Sequence, residues 1–375
     1  MKILQFMDMQ STKFGGLGRF MIKLMEKCPN DQFYFVFQSF PESKEMVSRF
    51  EELGAKIEVI KTTTGKEAIR HIPQFCKLVK KLRPDIIHFH FANSFFIYAP
   101  IAKMLGVKKL VKTQHCCLTT DSSNQITSKQ QFNLRTKIFS WNGNIYKLFN
   151  HIIMCSNFVQ EQFENVYGKS HKYKTIYFGV EPVMILDDYK KIKFRKNLQI
   201  SEDDIVITTV AFADPIKGVD VLIKAIPHIQ SHKFKVVIVG INLETQYGAY
   251  LHELAKNLNV DEKIRWIGIT DHVGDYLSIS DIYCQPSRSE ALGLAGCEAK
   301  SAHLPIVGSN VGGLPEISNV LFENEDFEDL AKRLTVLLND ENQRKFLAEQ
   351  SYIEYENKFM IDKGVEEYAN LYFQV

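Results

Sequence analysis

The 375 residues, 43.3 kDa in mass, are 45% hydrophobic and 24% charged. That is ample for two cores of about 150 to 200 residues each, which excludes a disordered chain or a small disulfide-held scaffold. The seven cysteines are odd in number and scattered without a C-x-x-C pair, so neither a disulfide framework nor a zinc cluster is expected. The net charge of +2 conceals two halves of opposite sign: residues 1–180 hold 26 Lys and Arg against 13 Asp and Glu, and residues 181–375 hold 20 against 31.

The opening MKILQFMDMQ lacks the apolar region of a signal peptide, and no stretch approaches the ~18 apolar residues of a spanning helix, so a cytoplasmic, soluble or peripheral protein is expected. KILQFMDM, the glycine cluster Gly15-Gly16-Leu17-Gly18 and RFMIKLMEKC then read as strand, glycine loop and helix. Short apolar runs recur at 33–38, 56–60, 85–91, 108–115 and 151–156, separated by stretches long enough for crossover helices. The segment 175–182, TIYFGVEP, reads as a strand ending at Gly179 and then a hinge. Beyond it the pattern restarts, with runs at 204–212, 235–241, 264–269, 282–287 and 304–309. Buried strands alternating with helices predict two doubly wound parallel sheets, with ligands in the cleft between the domains.

The most informative segment is 286–317, PSRSEALGLAGCEAKSAHLPIVGSNVGGLPEI, where a strand ends at Pro-Ser and a helix opens near Gly293. Glu290 lies before that helix and Glu298 within it, which places two carboxylates at different depths of one cleft. Carboxylates accept paired hydroxyl hydrogen bonds, and the exposed amides of a helix N-terminus bind phosphate oxygens. A nucleotide-sugar needs both.

Here the chain resembles the retaining GT-B glycosyltransferases of family 4. PSRSEALGLAGCEA is similar to their PS-x-x-E-G-F-G-L-x-x-x-E-A pattern, LPIVGSNVGGLPEI to its continuation, and IKGVDVLIKAI (216–226) to their E-K-G-x-D-x-L-I-x-A segment. FGGLGRFMIKL (14–24), PDIIHFHF (84–91), VKTQH (111–115), CSNFVQE (155–161) and IYFGVE (176–181) extend the resemblance over nearly the whole chain. It implies two Rossmann-like domains: 1–180, binding acceptor and completed by a C-terminal helix at 356–375, and 181–355, binding the nucleotide-sugar. In that helix Phe359, Val365, Tyr368 and Leu371 would anchor to the first domain.

The resemblance also implies roles. Glu290 would hold the donor sugar and Glu298 the ribose, while Leu292, Gly293, Leu294 and Ala295 would line the diphosphate. Lys217 would neutralise the diphosphate, Gly15 and Gly16 would let backbone approach the donor, and His115 would line the reaction centre. The implied reaction moves a hexose or N-acetylhexosamine from an NDP-sugar, UDP favoured, to an acceptor hydroxyl with retention and without metal or cofactor. The implied setting is surface polysaccharide or glycolipid assembly, on a glycan or lipid-linked acceptor.

Lys217 also stands on its own chemistry, because a fixed cation stabilises a leaving diphosphate more as its charge grows. His88 and His90 share one face of a strand but have no third ligand nearby, so structural roles are expected. The glycine cluster is not a dinucleotide fingerprint, since Met21 stands where G-x-G-x-x-G needs glycine. One departure is chemical: Phe212 stands where the family carries an arginine as second phosphate cation, so Arg288 becomes a candidate substitute, and a sugar-nucleotide-binding pseudoenzyme or a non-transferring enzyme such as an epimerase is the alternative. Basic residues in 75–83 and 101–150 suggest contact with an anionic membrane surface rather than nucleic acid.

Overall fold

The computed structural model describes residues 1–7, 9, 15–62, 65–91, 94–118, 145–231 and 233–373. Among these, the residues up to Phe178 together with Ile361–Phe373 form one compact unit, and Gly179–Met360 form another.

The first unit is built on seven parallel strands: β1 (Lys2–Phe6), β2 (Gln32–Phe37), β3 (Lys56–Val59), β4 (Ile86–His90), β5 (Lys109–Gln114), β6 (His151–Met154) and β7 (Tyr173–Thr175), in the order β3-β2-β1-β4-β5-β6-β7. The central strands are buried along their length, as a parallel sheet covered by helices on both faces requires. Helix Gly16–Lys27 packs on the C-terminal helix Ile361–Phe373, where Phe20 meets Tyr368 edge-on at 4.9 Å and stacks on Phe178 at 3.9 Å.

The second unit has six parallel strands: β8 (Ile205–Val210), β9 (Phe234–Val239), β10 (Ile264–Ile267), β11 (Ile282–Gln285), β12 (Ile306–Ser309) and β13 (Val320–Phe322), ordered β10-β9-β8-β11-β12-β13. Alternate side chains feed opposite faces: Ile207, Val236 and Ile238 enter one apolar cluster, while Val206, Val237 and Val239 enter another. Both units are therefore Rossmann-like and doubly wound. Strand order reverses between β1 and β4 in one and between β8 and β11 in the other, the switch points at which ligands bind beyond the strands' C-terminal ends.

Two expectations need correction. Of residues 175–182 only Thr175, the last residue of β7, lies in a strand: pairing ends there and at the Ile176 amide on the Met154 carbonyl, and Gly179 turns the chain at a φ of +68° before Val180 bridges Met360. The C-terminal helix starts at Ile361, not 356. Residues Tyr355–Phe359 form a π turn of the second unit, so Phe359 is buried there, while Val365, Tyr368 and Leu371 join the first unit's core.

Helix Ile72–Leu82, read as a basic amphipathic surface, turns Phe75, Leu78, Val79 and Leu82 into the core and leaves Lys77, Lys80 and Lys81 exposed. Its apolar stripe is occupied by the protein itself. Most of the basic stretch 101–150 lies outside the described residues. Among the described residues no helix is long and apolar enough to cross a membrane.

Candidate active site

Lys217 and Glu290, 73 residues apart, meet beyond the C-terminal ends of β8 and β11, with Lys217 Nζ 2.7 Å from Glu290 Oε2. The approach depends on how two loops are fastened. Pro215–Lys217 is a 3-10 turn capped by Asp214, whose Oδ1 accepts from the Ile216 amide at 2.8 Å, and the Ile216 carbonyl accepts from the Arg288 amide at 2.8 Å. The Arg288 guanidinium grips Asp220 with both ends, at 2.8 and 2.9 Å, and also donates to the Pro215 carbonyl and to Glu325. Burial works against ionisation of Asp220, yet the bonds from Arg288 and Tyr247 outweigh it and hold the carboxyl down at about 2. Arg288 is thus a clamp between the two loops, with four of its five N–H donors engaged and its charge set against Asp220 and Glu325. At the crossing Gly218 has a φ of +63°, and a Cβ there would fall 1.8 Å from the Pro286 carbonyl oxygen.

Glu290 is held from three sides. Besides Lys217, its Oε2 accepts from Gln285 Nε2 at 3.3 Å, and its carbonyl accepts from the Gly313 amide at 3.0 Å. Gln285 is 6% exposed, and its amide fills the space that Gly293 and Gly296 leave: a Cβ on either would come within 2.8 Å of it. Phe212, standing where the resemblance calls for arginine, is 59% exposed and has Lys217 Nζ 5.2 Å from its ring centre. The aromatic face supports the lysine but carries no charge of its own.

Helix Leu294–Ser301 starts at Gly293, whose φ of +100° glycine alone tolerates well, and it has no side-chain cap. The Gly293 carbonyl accepts from Gly296 and Cys297, so the amides of Leu294 and Ala295 have no acceptor within the helix and stand at its positive end. Leu292 is buried and Leu294 is exposed. Glu298 is half-buried on the next turn, and its carbonyl accepts from Ser301 Oγ at 2.7 Å. Burial first, and the Glu298 and Glu290 carboxylates after it, push the Cys297 thiol up.

In the first unit, Gly15 caps helix Gly16–Lys27 and is exposed. Among the described residues a Cβ there would meet nothing within 4 Å. Residues 10–14 of the preceding loop lie outside the described residues. At the C-terminal ends of β4 and β5, His115 Nε2 is 3.0 Å from His90 Nδ1, and the His115 ring stacks on Phe91 at 4.2 Å. His90 Nε2 lies 2.9 Å from Gln5 Oε1, while Gln5 Nε2 donates to the Tyr372 hydroxyl at 2.9 Å. His88 bridges Tyr372 and Thr113. Burial, reinforced by Lys112, lowers His115 to about 3 and holds His88 and His90 well below their usual range, so all three rings are neutral near pH 7. Among the described residues no group of three metal-ligating side chains assembles.

The structure thus brings together Lys217 and Glu290, with the uncapped helix N-terminus on the residues that follow Glu290, and it places His115 at the C-terminal end of β5 in the other unit, beside His90 at the end of β4. Gln285, Asp220 and the network of Gln5 and Tyr372 behind His115 were not anticipated. Gln285 had looked like part of an apolar strand, and only its being a lone amide inside that run marked it.

The model for Glycosyl transferases group 1 matches residues 190–354, and that for Glycosyltransferase Family 4 matches 14–183. The N-acetyl-alpha-D-glucosaminyl L-malate synthase of Bacillus anthracis is 27% identical over 301 residues, 78% of this chain and 75% of that protein. The O-antigen biosynthesis glycosyltransferase WclY of Escherichia coli is 24% identical over 230 residues, 61% of this chain and 62% of its own. Among solved structures, Anabaena HepE in complex with UDP superposes with a TM-score of 0.82 at 19% identity, covering 99% of both chains, and its complex with UDP-glucose scores 0.79.

Proposed function

We propose, from the premise that this chain belongs to glycosyltransferase family 4 and is a glycosyltransferase of GT-B fold, that it transfers a hexose or N-acetylhexosamine from a UDP-sugar to an acceptor hydroxyl with retention of configuration. The observation that carries the reading is the Lys217–Glu290 pair at 2.7 Å, next in sequence to the uncapped N-terminus of helix Leu294–Ser301. A diphosphate fits the amides of Gly293, Leu294 and Ala295 with Lys217 as its countercharge, and Glu290 and Glu298 supply acceptors for sugar and ribose hydroxyls. An ammonium has three donors, so Lys217 can keep its bond to Glu290 while meeting a phosphate oxygen.

In this reading the bond from the sugar's anomeric carbon to the phosphate oxygen breaks while the acceptor oxygen adds on the same face. The acceptor proton passes to the departing phosphate, so no protein nucleophile and no metal enters the step. Lys217 and the helix N-terminus act because they face charge that grows on the leaving group, in positions fixed before it appears. Gly15 and Gly16 would admit the donor closely, and His115 would meet a hydroxyl. The acceptor would be a glycan or a lipid-linked sugar in surface polysaccharide or glycolipid assembly. Binding in the cytoplasm to an anionic membrane face through the basic first half would bring the chain to such an acceptor.

Phe212 favours one alternative. With a single phosphate cation, the chain could hold a nucleotide-sugar without transferring it. The test is incubation with UDP-, GDP- and ADP-sugars and a panel of glycan and lipid-linked acceptors in EDTA, followed by proton NMR of the product's anomeric coupling. An α-linked product from an α-configured UDP donor supports the reading, a β-linked product removes retention, and nucleotide binding without product supports the alternative.

A further inference from the structure

We infer that Gln5 and His90 are positioning residues that lock His115 in its Nε2–H tautomer, so that it meets a substrate hydroxyl only as a hydrogen-bond acceptor through Nδ1. The role toward substrate rests on the transferase reading; the lock does not.

The argument follows hydrogens along one chain of bonds. The Gln5 amide directs Nε2 at the Tyr372 hydroxyl and Oε1 at His90 Nε2, both at 2.9 Å. A carbonyl oxygen can only accept, so His90 Nε2 carries the hydrogen. His90 is neutral, which leaves its Nδ1 as a lone pair, and the atom 3.0 Å away, His115 Nε2, must donate. His115 is neutral as well, so its Nδ1 is a lone pair. Among the described residues no partner faces that atom. On the other side, the Tyr372 hydroxyl accepts from Gln5 and gives its own hydrogen to His88 Nδ1 at 2.5 Å, which leaves His88 Nε2–H to donate to Thr113 Oγ1 at 2.8 Å.

Gln5 and His90 are wholly buried, so water cannot relieve a wrong tautomer, and reversing His115 requires turning the Gln5 amide and every bond beyond it. Tyr372 comes from the C-terminal helix, so the far end of the chain helps to set the polarity of a ring at the β5 terminus. A histidine fixed this way discriminates: it accepts from a hydroxyl, and it leaves an O-methyl or fluoro substituent at the same place unbonded.

The test is long-range proton–nitrogen NMR on the full chain labelled with 15N-histidine, with His115→Gln identifying the His115 signals. The expected result is a pyrrole-type Nε2 and a pyridine-type Nδ1 that stay unchanged from pH 8 to 5.5. A wild-type protein whose His115 carries its hydrogen on Nδ1 overturns the proposal without any variant. Gln5→Leu should mix the two tautomers and lower kcat/KM by about tenfold, the worth of one hydrogen bond. A Gln5→Leu spectrum identical to wild type would also sink the lock. If the Nε2–H signal is present and shifts with Gln5→Leu but no sugar is transferred from any donor, the lock stands and the transferase reading falls.

Discussion

Acidification should destabilise the first unit for a reason that can be counted. His88 and His90 are fully buried and neutral, with their affinity for protons held well below the ordinary imidazole value of 6.5. The sign follows: above 6.5 neither folded nor unfolded chain binds a proton there, and as the pH falls the unfolded chain gains protons that the folded one refuses, so stability is lost toward acid. One pH unit below the unfolded value each group costs about 1.4 kcal/mol, so His88 and His90 together remove about 3 kcal/mol between pH 8 and 5.5. His115, lowered to about 3 but only half-buried, adds at most a similar single share. A domain stable by about 5–15 kcal/mol feels such a loss. Urea unfolding followed by pulsed hydrogen exchange on β4 and β5 peptides isolates this unit, and His88→Gln should roughly halve the effect of the two buried rings. A β4–β5 step whose stability changes by less than about 1 kcal/mol between pH 8 and 5.5 would refute the neutral, water-free network.

Three further outcomes follow from the packing. Ending the chain at Met360 removes Ile361, Val365, Tyr368, Leu371 and Tyr372 from the first unit's core, about 10 kcal/mol of apolar burial, so the truncated protein should lose the exchange protection of that unit's sheet. Arg288→Ala leaves buried Asp220 without its bidentate partner and should destabilise the second unit by about 3 kcal/mol, with Arg288→Lys failing to restore it, as read by thermal unfolding. Gly218→Ala drives a methyl group into the Pro286 carbonyl and should abolish stabilisation by UDP-sugars in a thermal-shift assay while leaving the first unit folded.

The sheets were legible because the signal for a parallel strand is local: runs such as FYFVF and KVVIV are apolar on both faces and their neighbours are helical. The three-residue strands β7 and β13 passed unseen, being too short for a run to stand out. IYFG (176–179) has the composition of a strand but lies beyond Thr175, the last paired residue of β7, and Gly179 turns the chain. Lys217, Glu290 and the helix start at Gly293 were readable from motif spacing. The support behind them was not. Gln5 bonds to a residue 367 positions away, and Arg288 to one 68 positions away, and such pairings leave no trace in a local pattern. Arg288 looked like a spare cation because a sequence shows charge without showing that Asp220 has already neutralised it.

The most direct measurement is release of UDP from UDP-sugars in the presence of acceptor and EDTA, comparing wild type with Lys217→Ala, Glu290→Ala and Glu298→Ala. The account predicts turnover by wild type with one class of UDP-sugar, a loss of about 10²- to 10³-fold for Lys217→Ala and Glu290→Ala as charge-stabilising contacts disappear, and weakened UDP binding for Glu298→Ala. Turnover by Lys217→Ala equal to wild type would contradict the central claim that this lysine, held against Glu290 by the two loops, carries the charge of the leaving diphosphate.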